Sequence, residues 1–139
     1  MIRILHIDHV VLRTARLAAM TDFYCDVLGC AVERRLPAQT GLTQLRAGAA
    51  LIDLVDVDSE LGRPGGAAPA ASGRNLDHLC LEIEALEVNE LVAWLERHGV
   101  KAGAIESRYG ASGFGPSMYI KDPDGNTVEL RLSGVVSRP

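Results

Sequence analysis

The sequence predicts an α+β chain in which one unit, a strand followed by a helix and three further strands, occurs twice. Three observations carry this reading. Ile7-Asp8-His9-Val10-Val11-Leu12 recurs as Leu76-Asp77-His78-Leu79-Cys80-Leu81, offset by 69 residues. A stretch with helical spacing follows each copy and stops at a glycine, Gly29 in the first half and Gly99 in the second. Near the end of each half, Ile52-Asp53-Leu54 matches Val128-Glu129-Leu130.

Residues 4–13 are short, β-rich and bounded by charge, so they read as the first strand. From Leu17 to Leu28 the apolar positions 17, 20, 23, 24, 27 and 28 repeat with the spacing of an amphipathic helix. Thr14 stands as its N-cap and Gly29 as the left-handed residue that ends it. Residues 31–36, 42–47 and 50–57 read as three more strands, turned at Pro37/Gly41 and at Gly48. The second half repeats the pattern with a strand at 76–84 and a helix at 87–98 carrying Leu91, Trp94 and Leu95. Strands near 102–106, 116–121 and 126–132 follow, the last two joined by the turn Asp122-Pro123-Asp124-Gly125-Asn126. The offset widens to 76 at the Asp53/Glu129 match, which places a longer loop around Tyr109 to Gly115. The 139 residues therefore divide into a module at 1–57, a connector at 58–75, a module at 76–132 and a tail at 133–139, within one domain. Rich in Gly, Pro and Ala, the connector reads as a mobile linker, with a lid over a site as the alternative.

Composition narrows the function classes. Hydrophobic residues make up 47% and charged residues 23%, which excludes a disordered chain, a collagen-like fibre and a disulfide-stapled miniprotein. The net charge of -4 and the lack of a basic stripe argue against nucleic acid as a partner. No apolar run approaches the ~18 residues of a membrane span, and the N-terminus lacks a signal-peptide cleavage pattern. Cys25, Cys30 and Cys80 have no CxxC spacing and read as small buried hydrophobes in a reducing, cytoplasmic setting. A soluble cytoplasmic domain is the class that remains.

The repeat also aligns chemistry. His9 and His78 fall at one repeated position, Asp53 and Glu129 at another, each flanked by apolar residues in a predicted strand. A lone imidazole or carboxylate on such a face is costly to bury without a partner. Two imidazoles and two carboxylates at related positions instead form the nitrogen and oxygen ligand set of a divalent metal, with positions left for water or substrate. Asp8 and Asp77 read as pointing to the opposite strand face and bonding backbone, and His6 and His98 stay outside the site.

Through IDHVVL, FYCDVLG, LDHLCL and YIKDPDGNTVEL the chain resembles the vicinal-oxygen-chelate superfamily, which includes glyoxalase I, bleomycin resistance proteins and extradiol dioxygenases. The resemblance implies two tandem βαβββ modules, whose curled mixed sheets enclose a metal site with His9, His78 and Glu129 as ligands. Asp53 stands where glyoxalase I has a glutamate; one methylene shorter, it either ligates directly or acts through water or the neighbouring ligands. The implied cofactor is a divalent ion (nickel, zinc, cobalt, manganese or iron), with a thiol such as glutathione as a further participant. The implied assembly is a homodimer. The leading activity is a glyoxalase-I-like lyase or isomerase on a small α-oxo or hemithioacetal substrate, with the metal stabilising an enolate and Glu129 shuttling the proton. The alternatives are a non-haem iron dioxygenase and a non-enzymatic dimer that sequesters a drug or metabolite. Arg108 and Tyr119 are candidate substrate contacts; a solvated surface arginine and a cross-strand packing tyrosine are the competing readings.

Overall fold

The computed structural model describes residues 1–84 and 86–134, and the chain separates into two compact units, one ending at Ser72 and the other beginning at Gly73. In the first, β1 (His9–Thr14) leads into α1 (Leu17–Asp22), then β2 (Ala31–Arg35), β3 (Leu42–Ala47) and β4 (Ala50–Asp56). In the second, β5 (His78–Ile83) leads into α2 (Val88–Arg97), then β6 (Glu106–Gly110), β7 (Gly113–Lys121) and β8 (Thr127–Leu132). Both sheets are mixed and share one order, β1-β4-β3-β2 and β5-β8-β7-β6. The first and last strands of each unit are parallel neighbours, while the other pairs are antiparallel. The strand-helix-strand-strand-strand unit is thus present twice.

Alternation along the strands sets one face of each sheet inward. Met20, Phe23 and Tyr24 of the first helical segment are buried, as are Leu45, Ile52 and Leu54, and α1 packs on β4. Leu91 and Leu95 of α2 are likewise buried, together with Met118, Ile120, Val128 and Leu130. Gly29 and Gly99 take φ of 76° and 70°, the left-handed conformation that ends a helix without a Cβ clash.

Several boundaries differ from the sequence reading. The first strand begins at His9 rather than residue 4, because its partner β4 begins at Ala50 and His9 already pairs with Leu51. Ile2, Ile4, Leu5 and Ile7 are left exposed. Thr14 accepts the Arg16 N–H at 2.9 Å instead of capping the helix, and beyond Asp22 the helix widens into a π-turn at Phe23–Val27. The strand placed near 102–106 lies at 106–110, and the stretch from Tyr109 to Gly115 is no loop. It is the tip of the β6–β7 hairpin, with Tyr109 opposite Phe114 and Gly110 opposite Gly113. The Arg131 guanidinium lies across that hairpin and donates to the carbonyls of Arg108 and Gly113, at 3.1 and 2.5 Å. Added Cβ atoms at Gly110 and Gly115 would come within 2.9 and 2.8 Å of it, so these glycines make its room.

The connector is also more ordered than its composition suggests. Arg13 donates to the carbonyls of Gly62, Gly65, Gly66 and Ala67, and the Ser59 hydroxyl donates to Asp56 O at 2.6 Å. A 3₁₀ turn at Arg63–Gly65 completes this strap. Of the tail, Ser133 and Gly134 form a turn, while residues 135–139 lie outside the described residues. Cys25 and Cys30 are half-buried and Cys80 is exposed, so the expectation of three buried cysteines does not hold. Among the described residues no helix is long and apolar enough to cross a membrane.

Candidate metal centre

Parallel pairing of the first and last strands of each unit places one histidine and one carboxylate on the same face. In the second unit Cys80 on β5 pairs with Glu129 on β8, so His78, two residues earlier, shares a face with Glu129. His78 Nε2 stands 3.2 Å from Glu129 Oε2, and His78 Nδ1 stands 2.7 Å from Asp77 Oδ2. With Asp77 accepting the Nδ1 proton in a hydrogen bond, Nε2 would carry the lone pair of the neutral ring. That lone pair faces a carboxylate oxygen. Two acceptors at this distance need positive charge shared between them, either a proton or a metal cation. Ligands each about 2.0–2.2 Å from one cation would lie at about this mutual separation.

In the first unit Val11 on β1 pairs with Asp53 on β4, so His9, two residues earlier, shares a face with that shorter carboxylate. His9 Nδ1 is 2.6 Å from Asp8 Oδ1, a contact that raises the imidazole pKa and lowers that of Asp8. Asp53 adds a further electrostatic push on His9. Asp53 itself is 3% exposed; its Oδ2 accepts from Gln44 Nε2 at 3.0 Å, and its Oδ1 is buried with no hydrogen-bond partner among the described residues. A buried carboxylate oxygen without a donor is costly, and a bound cation would remove that cost.

The histidines and carboxylates read from the sequence are therefore paired within each unit, His9 near Asp53 and His78 against Glu129. Among the described residues no three side chains of His, Cys, Asp or Glu gather into one cluster able to hold a metal. The donor chemistry of each pair, imidazole nitrogen with carboxylate oxygen, suits a divalent transition-metal ion.

The roles expected for Asp8 and Asp77 need correction. Both bond the following imidazole rather than backbone, because each precedes the first residue of its strand and escapes the pleat that would have turned it away. The signal available was the Asp-His dipeptide itself, repeated. Ser117 was also missed: it is fully buried and donates to Glu129 Oε1 at 2.6 Å. Tyr119 lies directly opposite Glu129, with its ring centre 5.6 Å from that of His78. Arg108 is not a solvated surface residue. It donates to the Ser117 carbonyl and hydroxyl at 2.8 and 3.0 Å, pairs with Glu106, and lies 4.1 Å over the Tyr119 ring. Cys80 sits beside Glu129; although the residue is exposed, partial desolvation of its thiol against the sheet, then the carboxylate charge, pushes its pKa up to about 11. The thiol is held protonated there and is a poor nucleophile.

A family profile described as Glyoxalase/Bleomycin resistance protein/Dioxygenase superfamily matches residues 6–130. The chain is 32% identical over 133 residues to biphenyl-2,3-diol 1,2-dioxygenase 3 of Rhodococcus globerulus. That match covers 89% of this chain and 61% of the dioxygenase, so the chain spans about three-fifths of that relative's length. Among solved structures, an integron cassette protein from the mobile metagenome of V. cholerae superposes with a TM-score of 0.76 and 27% identity, covering 96% and 99% of the two chains. Lactoylglutathione lyase from Agrobacterium tumefaciens superposes with a TM-score of 0.64 and 25% identity, covering 92% and 93%.

Proposed function

Because the chain belongs to the glyoxalase/bleomycin resistance protein/dioxygenase superfamily, we propose that it is a metal-dependent, glyoxalase-I-like lyase or isomerase. Its substrate is a small molecule with neighbouring oxygens, of α-oxo or hemithioacetal type, with a thiol such as glutathione as the second component of the latter. The observation that carries this reading is the His78 lone pair facing Glu129 Oε2 at 3.2 Å with Asp77 behind the ring. The ligands proposed for the divalent ion are His9, His78, Glu129 and, less directly, Asp53. The bound ion supplies Lewis acidity at the substrate oxygen where negative charge develops.

The chain's own groups do the rest. Asp8 and Asp77 keep the Nδ1 protons in place, so both histidines present Nε2 as a donor. Glu129, displaced from the ion by the substrate, takes the proton from the substrate carbon through Oε2 and returns it to the adjacent one, while Oε1 stays bonded to Ser117. Tyr119, opposite Glu129, and Arg108, stacked on Tyr119, contact the substrate's oxygen-bearing end. Ala in place of His9, His78 or Glu129 should lower bound divalent metal by more than the about 10–100-fold usual for outer partners, with the fold intact by circular dichroism. Asp53→Ala should cost less, because its carboxylate is the shorter. A triple Ala variant that still binds one metal per chain at wild-type affinity would refute the assignment.

The similarity to a biphenyl-diol dioxygenase supports a second reading, a ring-cleaving non-haem iron enzyme with His9, His78 and Glu129 as its triad. Turnover separates the two. Isomerisation of the hemithioacetal of methylglyoxal and glutathione without oxygen supports the first, and oxygen uptake with a catechol by the ferrous protein supports the second.

A further inference from the structure

Each candidate carboxylate is held from behind by the same two-step chain of hydrogen bonds. In the first unit Arg34 Nε donates to Gln44 Oε1 at 2.7 Å, and Gln44 Nε2 donates to Asp53 Oδ2 at 3.0 Å. In the second, Arg108 donates to Ser117 Oγ at 3.0 Å, and Ser117 donates to Glu129 Oε1 at 2.6 Å. The arginines sit on β2 and β6, the middle groups on β3 and β7, and the carboxylates on β4 and β8. The two relays share a strand order but not a register: Arg34 pairs with Gln44 and Gln44 with Asp53, whereas Arg108 pairs with Gly115 and Ser117 with Arg131.

The difference follows side-chain length. Gln44 lies directly opposite Asp53, so a long amide meets a short carboxylate. The residue opposite Glu129 is Tyr119, and Ser117 lies one pleat further along β7, so a short hydroxyl meets a longer carboxylate on the diagonal. The arginine fixes the direction of each relay. A guanidinium can only donate, so Gln44 must offer Oε1 to Arg34 and turn its NH₂ toward Asp53. By the same logic Arg108 occupies a lone pair of Ser117 and leaves its single O–H for Glu129. One oxygen of each carboxylate is thereby tied. The other is left over: Asp53 Oδ1 has no hydrogen-bond partner among the described residues, and Glu129 Oε2 stands 3.2 Å from His78 Nε2.

We propose that Gln44 and Ser117 are positioning residues, polarised by Arg34 and Arg108, which hold one oxygen of Asp53 and of Glu129 and so present the other oxygen to a divalent cation. This rests on the metal reading above, and the experiment is arranged to separate the two. Co²⁺ affinity and the visible spectrum of bound Co²⁺ are measured for the wild type and for Ser117→Ala, Gln44→Leu, Glu129→Ala and Asp53→Ala. Ser117→Ala and Gln44→Leu should each weaken Co²⁺ binding by about tenfold and alter the spectrum, a change a merely sheet-stabilising contact would not produce. Loss of affinity in Glu129→Ala and Asp53→Ala, with Ser117→Ala and Gln44→Leu within twofold of the wild type, overturns the inference alone. Unchanged affinity in Glu129→Ala and Asp53→Ala overturns the metal reading, and the relay with it. Should Ser117→Ala fail to fold, Arg108→Gln, which keeps the hydroxyl but removes the cation behind it, decides the matter. A loss of threefold or more supports the relay, and a value within twofold of the wild type overturns it.

Discussion

At the scale of single residues, the two aspartates that precede His9 and His78 govern what those rings can do. Asp8 sits 2.6 Å from His9 Nδ1 and holds the imidazole pKa above its ordinary 6.5. A group raised in this way contributes stability that is complete below its unfolded value and is lost as pH rises through the folded value. Asp8→Asn removes the charge and should return His9 toward its ordinary value. An NMR titration of the metal-free protein reads this directly, and an unmoved His9 midpoint would show that the contact does not persist in solution. The histidines and carboxylates were legible in the sequence because the repeat aligned them. Asp8, Asp77, Gln44 and Ser117 were not assigned, because hydrogen-bond direction depends on strand boundaries and register, and a one-residue change in either turns a side chain to the other face.

At the scale of elements, periodicity located both helices and most strands, while the two irregular stretches were misplaced. Gly110, Gly113 and Gly115 look like loop residues in sequence, yet Gly110 and Gly115 make room for the Arg131 guanidinium across a continuous hairpin. The Gly- and Pro-rich connector looks free, yet Arg13, more than 45 residues earlier, donates to four of its carbonyls. Composition carries no trace of either arginine's reach. Arg13→Ala should release the segment 62–67, giving faster amide exchange and proteolysis there and a loss of roughly 1–3 kcal/mol in urea unfolding. Protection at 62–67 equal to that of the wild type would mean that the strap is held by its own turns.

At the scale of the molecule, the repeated unit was the most legible feature, since its matches recur in one order along the chain and the strand-helix-strand-strand-strand unit is present twice. Less legible were the edges of the two sheets, β1 and β2 in one and β5 and β6 in the other, and the exposed Ile2, Ile4, Leu5 and Ile7. Such edges and apolar side chains favour a second copy as partner, and a homodimer is the expected assembly. Sedimentation as a stable 14.9 kDa species at micromolar concentration would refute it. Mixing His9→Ala with Glu129→Ala protein then tests where the ligand pairs come from. If the pairs are drawn from two chains, each heterodimer regains one complete set and metal binding partly returns. If they are drawn from one chain, nothing is recovered.

The parallel pairing of first and last strands has a bearing on biosynthesis. The β3–β4 and β7–β8 hairpins join neighbours in the chain, but 42 positions separate His9 from Leu51 and 49 separate His78 from Thr127. Long-range closures of this kind come after local ones. A chain emerging from the ribosome therefore offers a cation only scattered single donors until the final strand of a unit has been made and docked. Fragments cut short before β4 or β8 hold a histidine without its carboxylate, so each donor pair exists only in a unit synthesised to its end.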